Sequence, residues 1–451
     1  MTSTNRSLTA LSRRQVLAGG AGLVAASFWP GLATAANPEV IVIGAGAAGI
    51  AAARKLLSAG RRVTVIEAGN CIGGRLKTDR AAFGVPFDVG AHWLHSRRQN
   101  PFVDHGLANG FTLYPAPDEE RLFVGGRPAK KSEIRDYDRA LARATAALEQ
   151  AGERGRDVSA ASVMPTLGKW GDTVRHALGP YEMGKDLENF SCADWYTGLG
   201  GRDWYCREGF GTLWAHSAGG VPVQLSTTAK RVRWGGRGVV VETDRGDLKA
   251  KACIVTVSTG VLASGRLRFD PALPADKQES FNGISMGLYN HIALQFKKNF
   301  FGIGDDGYVS YQVRAGKKEA PKALSFLTNI SGTNLTLGDV GGSFAWELEK
   351  AGSAAAIDFA LGELRKMYGG QVKRAFIKAR VTSWGQNPFT RGSYASAEPG
   401  AFALRRVLRR PVAKRIWFAG EACSAEQWAT VAGAHKNGDA VANRVLRNLK
   451  R

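Results

Sequence analysis

The stretch Val40-Ile41-Val42-Ile43-Gly44-Ala45-Gly46-Ala47-Ala48-Gly49 decides the fold of this chain. Its β-branched half is typical of a buried parallel strand. The three glycines allow a tight turn, close approach of the backbone to a pyrophosphate, and close packing of a helix on the strand. A helix over Ile50–Ala59 and a strand over Arg62–Ile66 are predicted next, and Glu67 then offers a carboxylate to ribose hydroxyls. Together these parts predict a dinucleotide site at a helix N-terminus.

The sequence Glu67-Ala68-Gly69-Asn70-Cys71-Ile72-Gly73-Gly74-Arg75-Leu76 follows directly. Its paired glycines let the backbone run beside a ligand, and Arg75 supplies a forked cation for phosphate oxygens. The pattern resembles the second fingerprint of FAD-binding oxidoreductases of the amine oxidase type, and not that of simple nicotinamide dehydrogenases. The cofactor contacts implied in this part of the chain are Gly44, Ala45, Gly46, Ala48, Gly49, Glu67, Ala68, Gly74 and Arg75.

Distant segments resemble the same family. Asp88-Val-Gly-Ala-His-Trp93 is similar to the segment that lays backbone along the flavin, and Phe418-Ala-Gly-Glu421 is similar to the family's Phe-x-Gly-Glu. A strand is predicted over Arg415–Gly420 and a final helix from Thr430 to Leu449, whose positive end would face the flavin edge that becomes negative on reduction. The further contacts implied by the resemblance are Gly90, Ala91, His92, Trp93, Ala229 beside the adenine, Trp384, Glu421, Thr430 and Val431.

The resemblance covers roughly residues 38–449 and implies an α/β fold. A Rossmann-like FAD-binding domain, with p-hydroxybenzoate hydroxylase-like topology, is interleaved with an α+β substrate-binding domain, which suits 451 residues better than a single core. The FAD-binding domain is predicted over 38–101, 206–284 and 392–451. The substrate-binding or cap domain is predicted over 102–205 and 285–391.

Local patterns predict several further elements. Residues 132–152 have helical spacing, within a cap of mixed helices and loops over 106–204. Short β-branched runs between glycine-rich turns predict a strand meander over 221–257. Residues 285–296 alternate as a single strand.

The resemblance is strongest to polyamine oxidases, monoamine oxidases and the lysine-specific histone demethylase. It implies an FAD-dependent oxidase that moves a hydride from the carbon next to an amine to flavin N5. The resulting imine hydrolyses to an aldehyde and an amine or ammonia, and oxygen is reduced to hydrogen peroxide. The implied partners are a small amine or amino acid and oxygen.

Four residues are the implied catalytic positions: His291, Tyr394, Thr430 and His95. Tyr394 matches one wall of the aromatic sandwich over the flavin. Thr430 stands where monoamine oxidases carry the second tyrosine, which favours the polyamine oxidase or demethylase branch. Trp384 and Trp428 are either further aromatic walls or core residues. Ser393 stands where monoamine oxidases carry a flavin-linking cysteine, so we predict non-covalent FAD.

His291 departs from the family, which carries a lysine here that holds a water against flavin N5. An imidazole can also hold that water, but it titrates near neutrality. The expectation is therefore either oxygen use with an altered pH dependence or a different electron acceptor. His95, in Trp93-Leu94-His95, matches the Trp-Ile-His of animal-type polyamine oxidases and is expected to hydrogen-bond the amine.

The formal net charge of +22 leaves the substrate open. A positive field disfavours a polyamine unless the site is locally acidic, and residues 118–120 are the one obvious acidic cluster. An L-amino-acid oxidase is the alternative, with Arg207 or Arg391 for the substrate carboxylate. The second alternative is a non-catalytic FAD-binding protein with a basic interaction surface. The basic residues lack the aromatic interleaving of a nucleic-acid groove, so no nucleic-acid partner is expected.

The N-terminal sequence predicts that the protein is exported. Ser12-Arg-Arg-Gln-Val-Leu17, a short apolar run and Ala33-Thr-Ala35 resemble a twin-arginine signal peptide over residues 1–35, cleaved near Ala35. Its loss removes three arginines and lowers the charge from +22 to +19. The expectation is a periplasmic or secreted enzyme, exported folded by the twin-arginine machinery after loading FAD, without stable membrane insertion. The five cysteines and the histidines have no metal-ligand spacing, and a Cys192–Cys206 pair is left open.

Overall fold

The glycine-rich unit folds as a strand, a helix and a second strand. The computed structural model describes residues 37–198, 200–315 and 320–450. The two strands cover Val40–Ile43 and Val63–Ile66, and the helix covers Ala47–Ser58. The helix begins earlier than predicted because the turn is complete at Gly46, which is the extended N-cap residue. The predicted export signal lies outside the described residues.

In the described part of the chain the strands are, in order, β1 (Val40–Ile43), β2 (Val63–Ile66), β3 (Thr78–Asp79), β4 (Phe87–Asp88), β5 (Leu113–Pro115), β6 (Glu120–Val124), β7 (Arg127–Pro128), β8 (Trp204–Cys206), β9 (Val223–Gln224), β10 (Ala229–Arg233), β11 (Val239–Thr243), β12 (Gly246–Ala250), β13 (Ala252–Val255), β14 (Arg268–Asp270), β15 (Ile284–Gly287), β16 (Tyr289–Phe296), β17 (Gly307–Tyr311), β18 (Ser325–Thr328), β19 (Leu335–Gly341), β20 (Phe376–Val381), β21 (Tyr394–Ala397) and β22 (Ile416–Phe418).

The α-helices of the same residues are α1 (Ala47–Ser58), α2 (Pro101–Ala108), α3 (Lys131–Glu153), α4 (Gly171–His176), α5 (Cys192–Tyr196), α6 (Phe210–Ala218), α7 (Thr259–Ala263), α8 (Ala275–Gly283), α9 (Gly342–Ala351), α10 (Ser353–Tyr368), α11 (Gln371–Ala375), α12 (Leu404–Leu408) and α13 (Val431–Leu449). A π-helical turn, Ala177–Tyr181, follows α4. No helix of the described residues is both long and apolar enough to span a bilayer.

A parallel five-stranded sheet in the order β22-β13-β1-β2-β9 forms the Rossmann-like part of the fold. All four residues of β1 are buried, as expected for a central parallel strand. Helices α1 and α13 pack together so closely that a Cβ on Gly438 would lie 2.1 Å from the Ala48 carbonyl oxygen. The predicted fold class is confirmed.

A second sheet of seven strands, in the order β20-β16-β19-β18-β17-β6-β7, contains strands from two distant stretches of chain. Strand β16 lies between β20 and β19, and seven of its eight residues are buried. The strands of this sheet fall in the segments predicted for the substrate-binding domain. Those of the parallel sheet fall in the predicted FAD-binding segments. The described residues from 37 to 450 group as one compact unit, and the domain boundaries stay a prediction.

Three local predictions were wrong. Residues 221–257 are not one meander, because β9 and β13 join the parallel sheet and only β10, β11 and β12 pair as antiparallel neighbours. Residues 285–296 form two strands, since β15 pairs with β21 and β16 joins the seven-stranded sheet. The predicted cap also contributes strands β5 to β8 beside its helices. Alternation along one strand does not report which sheet it joins.

A buried ion pair ties the cap to the C-terminal part of the chain. Asp194 in α5 accepts hydrogen bonds from the Arg405 guanidinium of α12 and, at 2.7 Å, from the Ala397 backbone N–H. Nearby, Cys192 packs in the hydrophobic cluster of the cap, while Cys206 packs beneath the parallel sheet. Both thiols are free, so these two cysteines do not pair.

Candidate active site

A single cavity of about 2060 Å³ brings together most of the predicted site. It runs from the glycine-rich turn to the cap. Of the predicted cofactor contacts, those that line it are Gly44, Gly46, Ala48, Glu67, Ala68, Gly74, Arg75, Gly90, Ala91, His92, Trp93, Ala229, Trp384, Glu421, Thr430 and Val431. The predicted catalytic positions His95, His291, Tyr394 and Thr430 line it too.

Two predicted contacts lie just behind the wall of the cavity. Ala45 donates its backbone N–H to Glu67 Oε2 at 2.8 Å, so it orients the acid. Gly49 faces the turn, and a Cβ there would lie 1.9 Å from the Gly44 carbonyl oxygen. Its role is the close helix–strand approach that the fingerprint requires.

The start of α1 suits the phosphates of a dinucleotide. Gly46 caps the helix without a side-chain hydrogen bond, and the first turn carries no acid. The first N–H groups and the positive end of the helix therefore face the cavity. Gly73 forms an isolated parallel bridge with Gly46, which lays the second fingerprint against the first. A cofactor phosphate can approach the backbone here without meeting a side chain.

Glu67 and Glu421 are held at two positions along the cavity. The Glu67 carboxylate also accepts the Gly69 N–H at 2.7 Å. The Glu421 carboxylate accepts hydrogen bonds from Arg75 Nη1 at 2.9 Å and from the Ala429 backbone N–H at 3.2 Å. Because Arg75 bridges to Glu421, residues 346 positions apart in sequence converge on one end of the cavity.

Helix α13 begins at the cavity as predicted. Thr430 is its N-cap, and its hydroxyl accepts the Gly433 N–H at 3.0 Å. Ala429, just before it, takes a left-handed conformation with φ of 62°. This sharp entry aims the positive end of a 19-residue helix into the cavity.

Aromatic rings line the cavity where the two sheets meet. Tyr289 lies at the centre, with ring centroids 6.1 Å from Tyr394, 6.2 Å from Tyr181 and 6.3 Å from Trp93. Burial raises the pKa of Tyr289 and of Tyr394 far above the usual phenol value, so both hydroxyls stay protonated. The cluster provides a neutral, rigid wall.

Two tryptophans lie both in the wall of the cavity and in the hydrophobic core. Trp384 and Trp428 line the cavity, yet each also packs in a hydrophobic cluster and is less than a tenth exposed. Trp384 lies 3.0 Å from where a Cβ on Gly90 would stand, so the glycine allows this contact.

His291 is buried in β16 with both ring nitrogens engaged. Nδ1 lies 2.6 Å from Asp339 Oδ1, and Nε2 lies 2.9 Å from the Gly90 carbonyl oxygen. No ring nitrogen is therefore left to hold a water, which changes the role expected from the sequence. Gly90 belongs to the segment that resembles the family's flavin-lining backbone, so His291 fixes that segment.

Glu182 is a carboxylate that faces the cavity from the cap. Its Oε1 accepts the Trp195 indole N–H at 3.0 Å, and its carbonyl oxygen accepts the Tyr394 hydroxyl at 3.2 Å. Glu182 is a solvent-exposed residue that lines the cavity. Partial desolvation by the surrounding protein atoms raises the pKa of Glu182 to about 7, although the Trp195 hydrogen bond lowers it.

The remaining predicted histidines have carboxylate partners. His95 Nδ1 lies 2.8 Å from Asp203 Oδ1, with both side chains partly exposed. His92 Nδ1 lies 3.0 Å from Asp88 Oδ2, and both are buried. Asp88 also accepts backbone N–H groups at the start of α6, so His92 belongs to a structural network that lies against the cavity.

Neither arginine considered for a substrate carboxylate lines the cavity in the described part of the chain. Arg207 lies over the Tyr114 ring, and Arg391 is absent from the lining. Of the acidic cluster at 118–120, only Glu120 faces the cavity. Asp118 pairs with Arg202 on the surface.

Sequence reasoning missed Glu182, Tyr289, Tyr181 and Asp339. Tyr289 could have been predicted, because it lies two residues from His291 and side chains at that spacing share one face of a strand. Glu182 and Tyr181 come from the irregular cap, and Asp339 comes from a different strand. No local pattern in the sequence identifies these three.

The geometry is that of a dinucleotide-binding site, and comparison with known proteins gives the family. Residues 47–446 match the family model described as flavin containing amine oxidoreductase. The chain belongs to this family.

Curated relatives agree. Polyamine oxidase 4 of Oryza sativa subsp. japonica is 27% identical over 460 residues, covering 92% of this chain and 90% of its own. Lysine-specific histone demethylase 1 homolog 1 of the same organism is 28% identical over 456 residues, which is 92% of this chain and 53% of its own. This chain thus spans about half of the demethylase homologue.

Solved structures show the same fold. Cyclohexylamine oxidase from Brevibacterium oxydans IH-35A superposes with a TM-score of 0.73 at 22% identity, covering 92% of this chain and all of that chain. A putrescine oxidase bound to putrescine has a TM-score of 0.71 at 20% identity, covering 91% and 99%. The chain is an FAD-dependent amine oxidase.

Proposed function

We propose that this enzyme oxidises a cationic small amine bound at Glu182 and passes the electrons to oxygen, releasing hydrogen peroxide. Glu182 carries the proposal. Its carboxylate lines the cavity, and its backbone carbonyl oxygen accepts the Tyr394 hydroxyl. An ammonium group is the natural partner of such a carboxylate, because opposite charges attract more strongly where the protein restricts water.

The overall reaction for a primary amine is R–CH₂–NH₂ + O₂ + H₂O → R–CHO + NH₃ + H₂O₂. The amine loses two electrons and two protons, oxygen gains them, and water replaces nitrogen on the carbon. Bound FAD supplies the hydride acceptor at N5 and the route of the electrons to oxygen. The predicted FAD contacts would hold it along the glycine-rich turn, Arg75 and the start of α13, all of which line the cavity.

The chain has to bind the amine and remove one proton from its ammonium. Glu182 can do both, because a carboxylate with a pKa of about 7 accepts a proton more readily than an ordinary one. Tyr289 and Tyr394 orient the body of the amine and keep water away from the reacting carbon. His95, with Asp203 behind it, is proposed to contact the amine nitrogen from the other side.

The cap side of the cavity is acidic, although the whole chain is basic. The charged cap residues that line it are Glu120, Glu149, Glu182 and Asp203, whereas the cofactor segments contribute both signs: Arg75, Lys77, Lys230 and Arg266 with Glu67, Glu421 and Glu426. The cap side therefore attracts a cation, and the cofactor side offers positive groups to phosphates. This arrangement supports an amine over an amino acid, whose carboxylate would need an arginine there.

The deciding experiment is anaerobic mixing of the FAD-loaded enzyme with a panel of amines and amino acids. Cyclohexylamine, putrescine, spermidine and tyramine should bleach the flavin absorbance more than phenylalanine or lysine does. Admitting oxygen should restore the absorbance and release peroxide. Preferential bleaching by amino acids would establish the alternative substrate class. A flavin that no member reduces would support a non-catalytic protein.

We propose that FAD is bound non-covalently. Ser393 replaces the linking cysteine of monoamine oxidases, and its hydroxyl is engaged with the Tyr289 backbone at 2.7 and 2.8 Å. Acid precipitation should release all flavin into the supernatant. Flavin that remains with the pellet would refute a non-covalent cofactor.

We also propose that the enzyme is exported folded by the twin-arginine machinery to the periplasm or beyond. The twin arginines at 13 and 14 and the small residues near Ala35 support this. Replacing both arginines by lysine should retain active, FAD-loaded enzyme in the cytoplasm. Unchanged export of that variant would argue against this route.

A further inference from the structure

Strands β16 and β19 place His291 and Asp339 directly opposite each other. The two residues are 2% and 0% exposed. The Gly90 carbonyl that contacts Nε2 of His291 can only accept a hydrogen bond, so Nε2 carries a hydrogen. The state of the pair then depends on one proton, which lies between Nδ1 and Asp339 Oδ1 at a separation of 2.6 Å.

That proton can belong to either partner. On Asp339 it would leave a neutral imidazole and a neutral acid, and on His291 it makes an imidazolium–carboxylate pair. Burial disfavours charge on His291, but the charge and hydrogen bond of Asp339 outweigh burial and raise the pKa of His291. The Gly90 hydrogen bond and the more distant Asp88 act in the same direction.

The other groups around the pair do not compete for the proton. Tyr289 on β16, Tyr308 on β17 and Tyr181 in the π-helical turn all have a pKa raised by burial, so they remain neutral. Asp339 Oδ2 has no hydrogen-bond partner within the described residues. The carboxylate is therefore balanced mainly by the ring of His291.

We propose that Asp339 is a positioning residue that keeps His291 as a permanent imidazolium, which clamps Gly90 and presents a fixed cation to the flavin-lining segment. In the family that the sequence resembles, this strand position carries a lysine that holds a water. Here the cation is supplied without a water and without titration near neutral pH. A fixed cation at this position favours electron transfer to oxygen. This consequence rests on the proposed function, in which oxygen is the electron acceptor.

The state of the ring is tested first, by histidine-selective ¹⁵N NMR of the FAD-loaded enzyme. Both ring nitrogens of His291 should be protonated, unchanged from about pH 6 to about pH 9. In Asp339→Asn the ring should be neutral at about pH 8, because only the Gly90 hydrogen bond and the more distant Asp88 then oppose burial. Asp306→Asn, a change at a buried carboxylate that bonds Tyr114 and Ser331, is the matched control. A wild-type ring with one protonated nitrogen would overturn the proposal.

The functional consequence is measured with enzyme reduced by dithionite and mixed with oxygen, so no amine is needed. Asp339→Asn should reoxidise at least about 10-fold more slowly at about pH 8 and recover part of the rate at lower pH. Wild type and Asp306→Asn should show neither change. Equal rates in all three would overturn the role in oxygen use. Failure of every amine to reduce the flavin would contradict only the proposed function.

Discussion

At the scale of single residues, the site depends on ionisable groups whose charge is set by their surroundings. Within the described residues the Glu182 side chain has no ionic partner and accepts only the Trp195 N–H, and desolvation raises its pKa to about 7. His291 has a carboxylate directly opposite, and its pKa also moves upward. The shift lets the Glu182 carboxyl group exchange a proton near neutrality, whereas it favours the protonated form of the His291 imidazole.

Glu182→Gln should reduce kcat/KM for the preferred amine about 10- to 100-fold, because a charge-assisted contact and a proton acceptor are both lost. In the wild type, kcat/KM should rise as the pH passes upward through about 7, since the pKa of Glu182 is raised to about 7 and only its ionised form attracts the ammonium. The substitution should abolish that rise. Steady-state kinetics across pH measure both effects.

The matched control for Glu182 is Glu188→Gln, which removes an exposed cap carboxylate paired with Arg175. It should leave both KM and the pH profile unchanged. An unaltered rise in Glu182→Gln would show that another group binds the amine.

At the scale of elements, two helix starts line the cavity where the cofactor is predicted to bind. α1 and α13 both begin at the cavity, and neither has an acid in its first turn. The existence of α1 was predictable from the glycine spacing, although the helix begins at Ala47 and not at Ile50. The start of α13 was also predictable, because threonine is a favoured N-cap. The sheet membership of β9 and β13 was not, since pairing depends on distant strands.

Gly49→Ala should damage the turn between β1 and α1, because its Cβ would lie 1.9 Å from the Gly44 carbonyl oxygen. We expect a loss of about 1–3 kcal/mol in the free energy of unfolding and weaker FAD binding. Denaturant unfolding and FAD titration measure these. Gly236→Ala is the control, since no atom lies within 4 Å of its added Cβ. Similar behaviour of the two variants would contradict the account.

At the scale of the whole molecule, the site depends on chain segments that meet from far apart. The cap packs over the cavity, and Asp194 ties it to α12 and β21 through Arg405 and the Ala397 backbone. Asp194 is fully buried and Arg405 is 3% exposed, so the pair is sensitive to loss of either charge.

Asp194→Asn should lower the free energy of unfolding by about 3–5 kcal/mol, because Arg405 would remain as a buried cation without its counter-ion. Denaturant unfolding of the FAD-loaded enzyme gives the value. Glu188→Gln removes an exposed ion pair on the same cap and should cost less than about 1 kcal/mol. A loss for Asp194→Asn no larger than that would show that the buried pair contributes little.

The sequence alone determined the cofactor and the fold class, and most of the cofactor contacts it predicts line the cavity, because glycine turns, buried strands and helix caps are encoded within a few neighbouring residues. The tertiary structure decided which other residues line the cavity and which groups they contact. Glu182 comes from an irregular cap, and Asp339 reaches His291 only because two strands pair in one register. Charge in a buried site depends on such neighbours, and their positions depend on the packing of the whole chain.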